Sequence, residues 1–420
     1  MKSDLDRLMR ERDLDAFVVT GGEEFNAIRF YLSNGAQITH GSIFKVREQT
    51  PLLVCSRMEL EEAQKSGLQV RTDAELGFYE RLAAAEGNGY KASAQFWGHV
   101  LSEMGLTGGR IGLYGTWQIN KTIALQEALR DQLPQFEFVA EAKNTLFEAA
   151  MLTKDRHEIE RLKSVAERAN SVMECAWDYI AGLHAEGEFL YDETGRQVTV
   201  GDVKRLVRRE LMARGLEDTN TIFAQGRDAG FPHSRGEADM PLQTGQAIVF
   251  DLFPREQGGG YHHDMTRTWC IGYARPEVRE AYDTVMEAFD ISVEAFGLNK
   301  PSHLMQEAVL DHYEGKGHAT IRSNPRTMEG YIHTLGHGVG IDIHESPSIS
   351  HTRRDDSFQI GNVLTIEPGL YYPDRGYGVR VEDLFVIDES GALVSLTSFR
   401  KDLVIPLGEG PVEEPLGDRE

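Results

Sequence analysis

The sequence predicts an α/β protein built as two domains, and three observations predict it. At 420 residues the chain is too long for one ordinary core and suggests two or three at roughly 100–200 residues each. Over its first 145 residues, short apolar runs rich in β-branched residues alternate with helical stretches. The texture then changes to one long amphipathic helix, from about Lys154 to Gly182, after which strands dominate from Asn220 onward. The expected division is a smaller α/β domain over 1–148, a larger domain over 149–405, and a polar, Pro/Gly-rich tail over 406–420 expected to be disordered.

Taken in order, residues 3–13 read as a helix, with Leu5, Leu8 and Met9 at helical spacing behind Ser3 as a candidate N-cap. AFVVT (16–20), FNAIRFYLSNG (25–35), SIFKV (42–46) and PLLVCS (51–56) supply strand candidates. A helix over 57–67 is stopped by Gly67. RIGLYG (110–115) and FEFVAE (136–141) are further strands, separated by a helix over 118–133. No glycine-rich phosphate fingerprint follows any strand, so this part reads as scaffold or partner surface. In the larger part, a helix over 200–216 follows a loop at 183–200, and its Arg/Lys run reads as a solvated face. Helices are also expected from Pro276 and over 302–315.

Composition excludes several classes of function. Hydrophobic content of 40% and charged content of 26% are those of a soluble globular protein. The 44 basic and 67 acidic residues leave a net charge of −23, which argues against nucleic acid or an anionic membrane as partner. The three cysteines, Cys55, Cys175 and Cys270, form neither a disulfide framework nor a CxxC motif and fit a reducing compartment. The charged start, MKSDLDRLMRERDLDAF, has no apolar segment of a signal peptide, and no run of about 18 apolar residues occurs. A cytoplasmic location is expected.

The chemistry concentrates at AIVFDLFPREQGGGYHHDMTRTWCI (247–271), which reads as two strands joined by a glycine-rich turn. Asp251 and Asp264 each stand in an apolar or β-branched strand, where a bare carboxylate costs several kcal/mol, roughly, unless paired or bound to a cation. LTIEPG…GVRVEDLFVI repeats the grammar with Glu367 and Glu382, while Asp383 points to the opposite strand face. Between them lies HTLGHGVGIDIHE with His333, His337 and His344, and Gly336, Gly338 and Gly340 let other backbone approach. Four carboxylates and one imidazole form a hard ligand set suited to Mn²⁺, Fe²⁺, Co²⁺ or Zn²⁺. They suffice for two metals about 3.5–4 Å apart, which acidify water and polarise a carbonyl. Pairing of the acids by Arg267 and Arg380 is the alternative.

DMTRT, GHGVG with a following IHE, TIEPG and VRVED, in this order over residues 220–390, resemble the metallopeptidase family of methionine aminopeptidase, aminopeptidase P, prolidase and creatinase. The resemblance implies a "pita-bread" α/β catalytic domain with a pseudo-twofold. It also implies, for the first 145 residues, the amino-terminal domain of the aminopeptidase P, prolidase and creatinase branch. It implies two divalent metals, manganese foremost, with cobalt, zinc or iron as alternatives. Asp251 would chelate one metal, Asp264 and Glu382 would bridge, and His337 and Glu367 would complete the other. By the same resemblance His233 contacts substrate and His344 steadies the tetrahedral intermediate. His333 is the branch's histidine four residues before the ligand, Tyr261 matches its Gly-Tyr, and Arg380 orients carboxylates two residues before the bridging Glu382.

The implied activity is removal of an amino-terminal residue that precedes proline, from peptides or from dipeptides, by a homodimer. Glu367 would also shuttle the proton. Arg353 and Arg354 are candidates to hold the free carboxylate of a dipeptide. The alternatives are C–N hydrolysis of a small guanidino substrate, as in creatinase, and a non-hydrolytic peptide-binding module; the complete ligand set disfavours both. The chain departs from the family at DLFPREQGGGYHHD, where Phe253 replaces the usual glycine and the turn is longer.

Overall fold

The computed structural model describes residues 1–407. The tail expected to be disordered falls, from residue 408, outside the described residues. The chain forms two compact units, Met1–Met151 with Gly258–Gly260, and Leu152–Gln257 with the chain from Tyr261.

In chain order the first unit comprises α1 (Leu5–Glu11), β1 (Ala16–Val19), α2 (Ala27–Leu32), β2 (Gly41–Val46), β3 (Leu52–Cys55), α3 (Leu60–Gln64), β4 (Gln69–Thr72), α4 (Phe78–Ala84), α5 (Gly89–Glu103), β5 (Gly109–Tyr114), α6 (Ile119–Gln132), β6 (Phe136–Val139) and α7 (Leu146–Met151). Its sheet runs β4-β3-β2-β1-β5-β6. Strand β2 is antiparallel to both neighbours and the other pairings are parallel. Phe44, Trp97, Val100, Ile111, Leu129 and Phe138 lie in its core.

One expectation fails here. Residues 25–35 are not a strand: 27–32 is helix α2, because the Asn26 side chain accepts the Arg29 N–H at 3.0 Å and caps it. Ala27, Phe30 and Tyr31 then fall at helical spacing on a buried face. The stretch 68–108, for which the sequence reading proposed no element, holds β4, α4 and α5.

The second unit opens on α8 (Arg156–Ala181), started by a reciprocal capping box between Asp155 and Glu158. Leu162, Val165, Ala169, Met173, Ala176 and Ile180 form its buried stripe. The expected loop contains a short hairpin, β7 (His184–Glu186) and β8 (Phe189–Tyr191). Helix α9 (Val200–Ala213) carries the Arg run, and Arg205, Arg208 and Arg209 are paired with Asp202, Asp218 and Glu210, as a solvated face should be.

There follow β9 (Leu216–Glu217), β10 (Ile222–Gln225), β11 (Ala247–Leu252), β12 (Arg255–Glu256), β13 (Met265–Ile271), α10 (Pro276–Ala295), α11 (His303–Gly315), β14 (Gly336–Gly338), β15 (Glu345–Ile349), β16 (Val363–Ile366), β17 (Gly369–Tyr372), β18 (Tyr377–Arg380), β19 (Asp383–Ile387), β20 (Leu393–Ser395) and β21 (Val404–Ile405).

Two sheets carry the repeated grammar. One runs β10-β11-β13-β21 and the other β15-β14-β16-β19-β20. In the first, β11 and β13 pair antiparallel with Asp251 opposite Thr266. In the second, β16 and β19 pair antiparallel with Ile366 opposite Asp383. The second half is not one simple hairpin, because the ribbon β17–β18 is inserted in it. Pro368 has no N–H to continue the ladder and the Glu367 N–H turns to Leu335 O at 2.8 Å, so pairing stops at Ile366 and restarts at Gly369. Among the described residues no helix is long and apolar enough to cross a membrane.

Candidate metal centre

The two larger sheets of the second unit are bridged beside the carboxylates. The Glu382 N–H donates to Thr266 O at 3.0 Å, and the His262 N–H donates to Gly340 O at 2.8 Å. Asp251 stands in β11, Asp264 directly before β13, Glu367 between β16 and β17, and Glu382 between β18 and β19. Each therefore sits at or beside a strand end, where the backbone is held but the side chain is free of the pleat. His337 is the middle residue of β14.

These side chains converge. Ligand atoms of Asp264, His337 and Glu382 all lie within 4.8 Å of one another. His337 Nε2 is 3.6 Å from Asp264 Oδ2 and 3.7 Å from Glu367 Oε1. Asp251 is linked to the group through Arg380, whose Nη2 donates to Asp251 Oδ2 at 2.6 Å and whose Nε donates to Thr266 Oγ1 at 3.0 Å. That hydroxyl in turn donates to Glu382 Oε2 at 2.7 Å. Asp251 Oδ1 is buried without a hydrogen-bond partner.

The electrostatics are those of a site short of positive charge. Burial raises the pKa of Asp251, and raises Asp264 and Glu382 well above the carboxylate range, with mutual repulsion adding to both. Burial pushes Glu367 up to about 8. Burial lowers His337 to about 3, leaving a neutral imidazole. Among the described residues, Arg380–Asp251 is the one ion pair from an Arg or Lys to any of these four carboxylates. Arg267 does not serve them: it pairs with Asp383 at 2.9 Å, on the opposite strand face.

The other residues singled out in the sequence divide in two. His344 stacks edge-on to His337, ring centres 4.4 Å apart. His333 lies 3.7 Å from Glu367 through Nδ1 and 3.0 Å from the Tyr371 hydroxyl through Nε2. His233 is exposed, within electrostatic reach of Asp251, His333 and His344. Tyr261 is buried and directs its hydroxyl away to Glu158 Oε1 at 2.8 Å. Arg353 is exposed on the loop before β16.

Two contributors escaped the sequence reading. Tyr371 receives a hydrogen bond from Arg380 Nη1 at 2.9 Å and touches His333. Thr266 joins Arg380 to Glu382. Thr266 had a readable signal, since it lies two residues after Asp264 and so shares its strand face. Tyr371 had none, because the inserted ribbon decides where it points.

The sequence pattern of metallopeptidase family M24 matches residues 160–389, more than half of the chain. The chain belongs to metallopeptidase family M24. As a family member it is an enzyme, a metallopeptidase, and its fold is the pita-bread fold of the prolidases. A putative dipeptidase YkvY of Bacillus subtilis is 28% identical over 394 residues, covering 93% of this chain and 95% of that protein. An Xaa-Pro dipeptidase of Lactobacillus delbrueckii subsp. lactis is 25% identical over 416 residues, covering 96% and 100%. Among solved structures, the prolidase from Pyrococcus furiosus superposes with a TM-score of 0.72 at 23% identity, covering 94% of this chain and 100% of that one. The X-Pro aminopeptidase from Thermotoga maritima gives 0.73 at 22%, covering 95% and 99%.

Proposed function

We propose that this M24 metallopeptidase is a dinuclear-metal-dependent exopeptidase that hydrolyses the Xaa-Pro bond, with dipeptides as the favoured substrates. The observation that carries the metal reading is charge. Among the described residues, three buried carboxylates and the part-buried Glu367 have one guanidinium between them, and Asp251 Oδ1 is buried without a hydrogen-bond partner. A neutral imidazole and four carboxylates fit hard divalent cations. Asp251, Asp264, His337, Glu367 and Glu382 would hold two of them, with manganese the first candidate. Bound there, the cations acidify water and polarise the scissile carbonyl.

The chain's own groups do the rest. Glu367 takes the proton of the attacking water and hands it to the leaving proline nitrogen. His344 donates to the developing oxyanion and His233 to the substrate backbone. Arg380, tied to Tyr371 and Thr266, keeps Asp251 aimed. Proline's nitrogen carries no N–H in a peptide bond and holds a fixed bend, which a shaped pocket can select. The preference for dipeptides is supported by two relatives that span nearly the whole chain, one named an Xaa-Pro dipeptidase and the other a putative dipeptidase. Arg353 is the candidate partner for the free carboxylate. The three cysteines are unpaired, which supports a reducing, cytoplasmic setting, and we take the working form to be a homodimer.

The test is elemental analysis joined to a chain-length series of Xaa-Pro peptides. Two equivalents of metal, cleavage of Ala-Pro, and loss of turnover in Glu367→Gln are expected. Metal-free active protein, or unchanged turnover in that variant, overturns the mechanism. Equal rates on dipeptide and pentapeptide overturn the dipeptidase assignment.

A further inference from the structure

A buried ion pair outside the ligand set joins residues 191 positions apart: Lys154 Nζ donates to Glu345 Oε2 at 2.7 Å, with side-chain exposures of 1% and 8%. Buried pairs of this kind gain little stability, because desolvation offsets the attraction and an apolar replacement is often neutral. What this pair does is fix a place. Lys154 precedes the N-cap of α8, and its main-chain N–H donates to Gly361 O at 2.8 Å, just ahead of β16. Its side chain thus crosses from the β16 lead-in to the first residue of β15.

Glu345 stands at the hinge of both candidate histidines. It follows His344 in the chain, and across the sheet it pairs with Gly338, the residue after His337, where the register shifts. Its Oε1 accepts the Asp342 N–H at 3.1 Å, closing the loop that carries His344. It also fills the space over Gly340, where a Cβ would lie 2.3 Å from Oε1; the third glycine of GHGVG is there to admit this carboxylate. The same helix turn grips the other half of the site, since Glu158, the capping-box acid of α8, accepts the Tyr261 hydroxyl three residues before Asp264.

We propose that Lys154 is a positioning residue: by holding Glu345 it sets the 339–345 loop and so the place of His344 relative to His337. This rests on the peptidase reading for its kinetic arm, but not for its structural one.

The test compares Lys154→Met, Lys154→Arg and Glu345→Gln in Mn²⁺-loaded protein, with Ala-Pro as probe. Lys154→Met and Glu345→Gln are expected to lower kcat by about 10–100-fold at nearly unchanged KM, the cost of a small misplacement. Lys154→Arg is expected to restore most of it. In a His344→Ala background, Lys154→Met should cost less than about twofold, because the two act as a unit. Hydrogen exchange followed by mass spectrometry, without substrate, should show faster exchange confined to residues 338–346 in Lys154→Met. Effects that multiply in the His344→Ala background, or unaltered exchange in that segment, overturn the proposal. If the wild-type chain fails on Ala-Pro, the peptidase reading falls while the exchange result still decides the role of Lys154.

Discussion

Replacing Arg380 by methionine should destabilise the protein most when metal is absent. Arg380 is 3% exposed, and its guanidinium binds Asp251 Oδ2 at 2.6 Å, Tyr371 Oη at 2.9 Å, Thr266 Oγ1 at 3.0 Å and Pro232 O at 3.3 Å. Its removal strands Asp251, whose Oδ2 loses the guanidinium and whose Oδ1 has no hydrogen-bond partner. Breaking a buried pair by deleting one partner costs about 3–5 kcal/mol. At about 2–4 °C per kcal/mol for a domain of this size, the melting temperature should fall by about 6–20 °C. Lysine keeps the charge but loses the fork, and about 1–3 kcal/mol of the loss should remain from the donors it no longer offers. Calorimetric melts of wild type, Arg380→Met and Arg380→Lys, each with chelator and with saturating Mn²⁺, read this directly. Under the proposed metal site, cations would give Asp251 a second partner, so the gap should narrow when they are present. A gap of the same size in both conditions refutes the argument, as does an Arg380→Met chain that melts within about 2 °C of wild type in chelator.

Three further outcomes follow from packing and titration. Thr266→Val removes the hydroxyl between Arg380 and Glu382 and should cost about 1–3 kcal/mol in urea unfolding, with Thr266→Ser near wild type. Phe147→Ala empties a fully buried site packed edge-on against Phe17 and Tyr114, and should cost about 3–5 kcal/mol. Asp202 caps α9 in a box with Thr199. Despite partial burial, its hydrogen bonds from Thr199, Arg196 and Arg205 hold its pKa down at about 2. A pKa lowered on folding contributes stability above the unfolded value and loses it as pH falls through the folded one. The advantage of wild type over Asp202→Asn, about 1 kcal/mol at neutral pH, should therefore shrink between about pH 4 and pH 2. An advantage that grows on acidification contradicts the assignment.

The features legible in the sequence are those where one residue conflicts with its surroundings. Asp251 and Asp264 among apolar strand residues, and Glu367 before Pro-Gly, announce themselves because burial of a charge is costly wherever the strand lies. The long stripe of α8 is visible for the same local reason, since its period needs no tertiary information. Residues 25–35 misled because Ala-Ile-Arg-Phe-Tyr-Leu is as apolar as a strand, and the cap at Asn26 outweighed β-propensity. The ribbon β17–β18 was hidden, as it depends on which strand accepts the chain after Pro368. Tyr371 and the Lys154–Glu345 pair were invisible on that account: their partners are set by topology across many residues.

Two buried arginines explain why the centre asks for cations. Arg267 is fully buried, and its guanidinium is consumed by Asp383 and by the carbonyls of Thr266, Glu382, Phe399 and Arg400. It fastens β13 to the Glu382–Asp383 segment from behind and lends no hydrogen bond to the side chains of the candidate ligands. Among the described residues only Arg380, through Asp251, brings an arginine or lysine charge into an ion pair with them, and one guanidinium cannot balance four carboxylates. The remainder must be met by protons or by metal, and the raised pKa values at Asp264, Glu367 and Glu382 are the proton answer to that deficit. Divalent cations answer it with fewer particles and with the donor atoms already converged around His337. The backbone bridge from Glu382 to Thr266 and the clamp of Arg267 hold those donors together through hydrogen bonds that do not involve the ligand atoms. The frame is built by neutral and paired groups, and the uncompensated charge is left at the candidate metal centre.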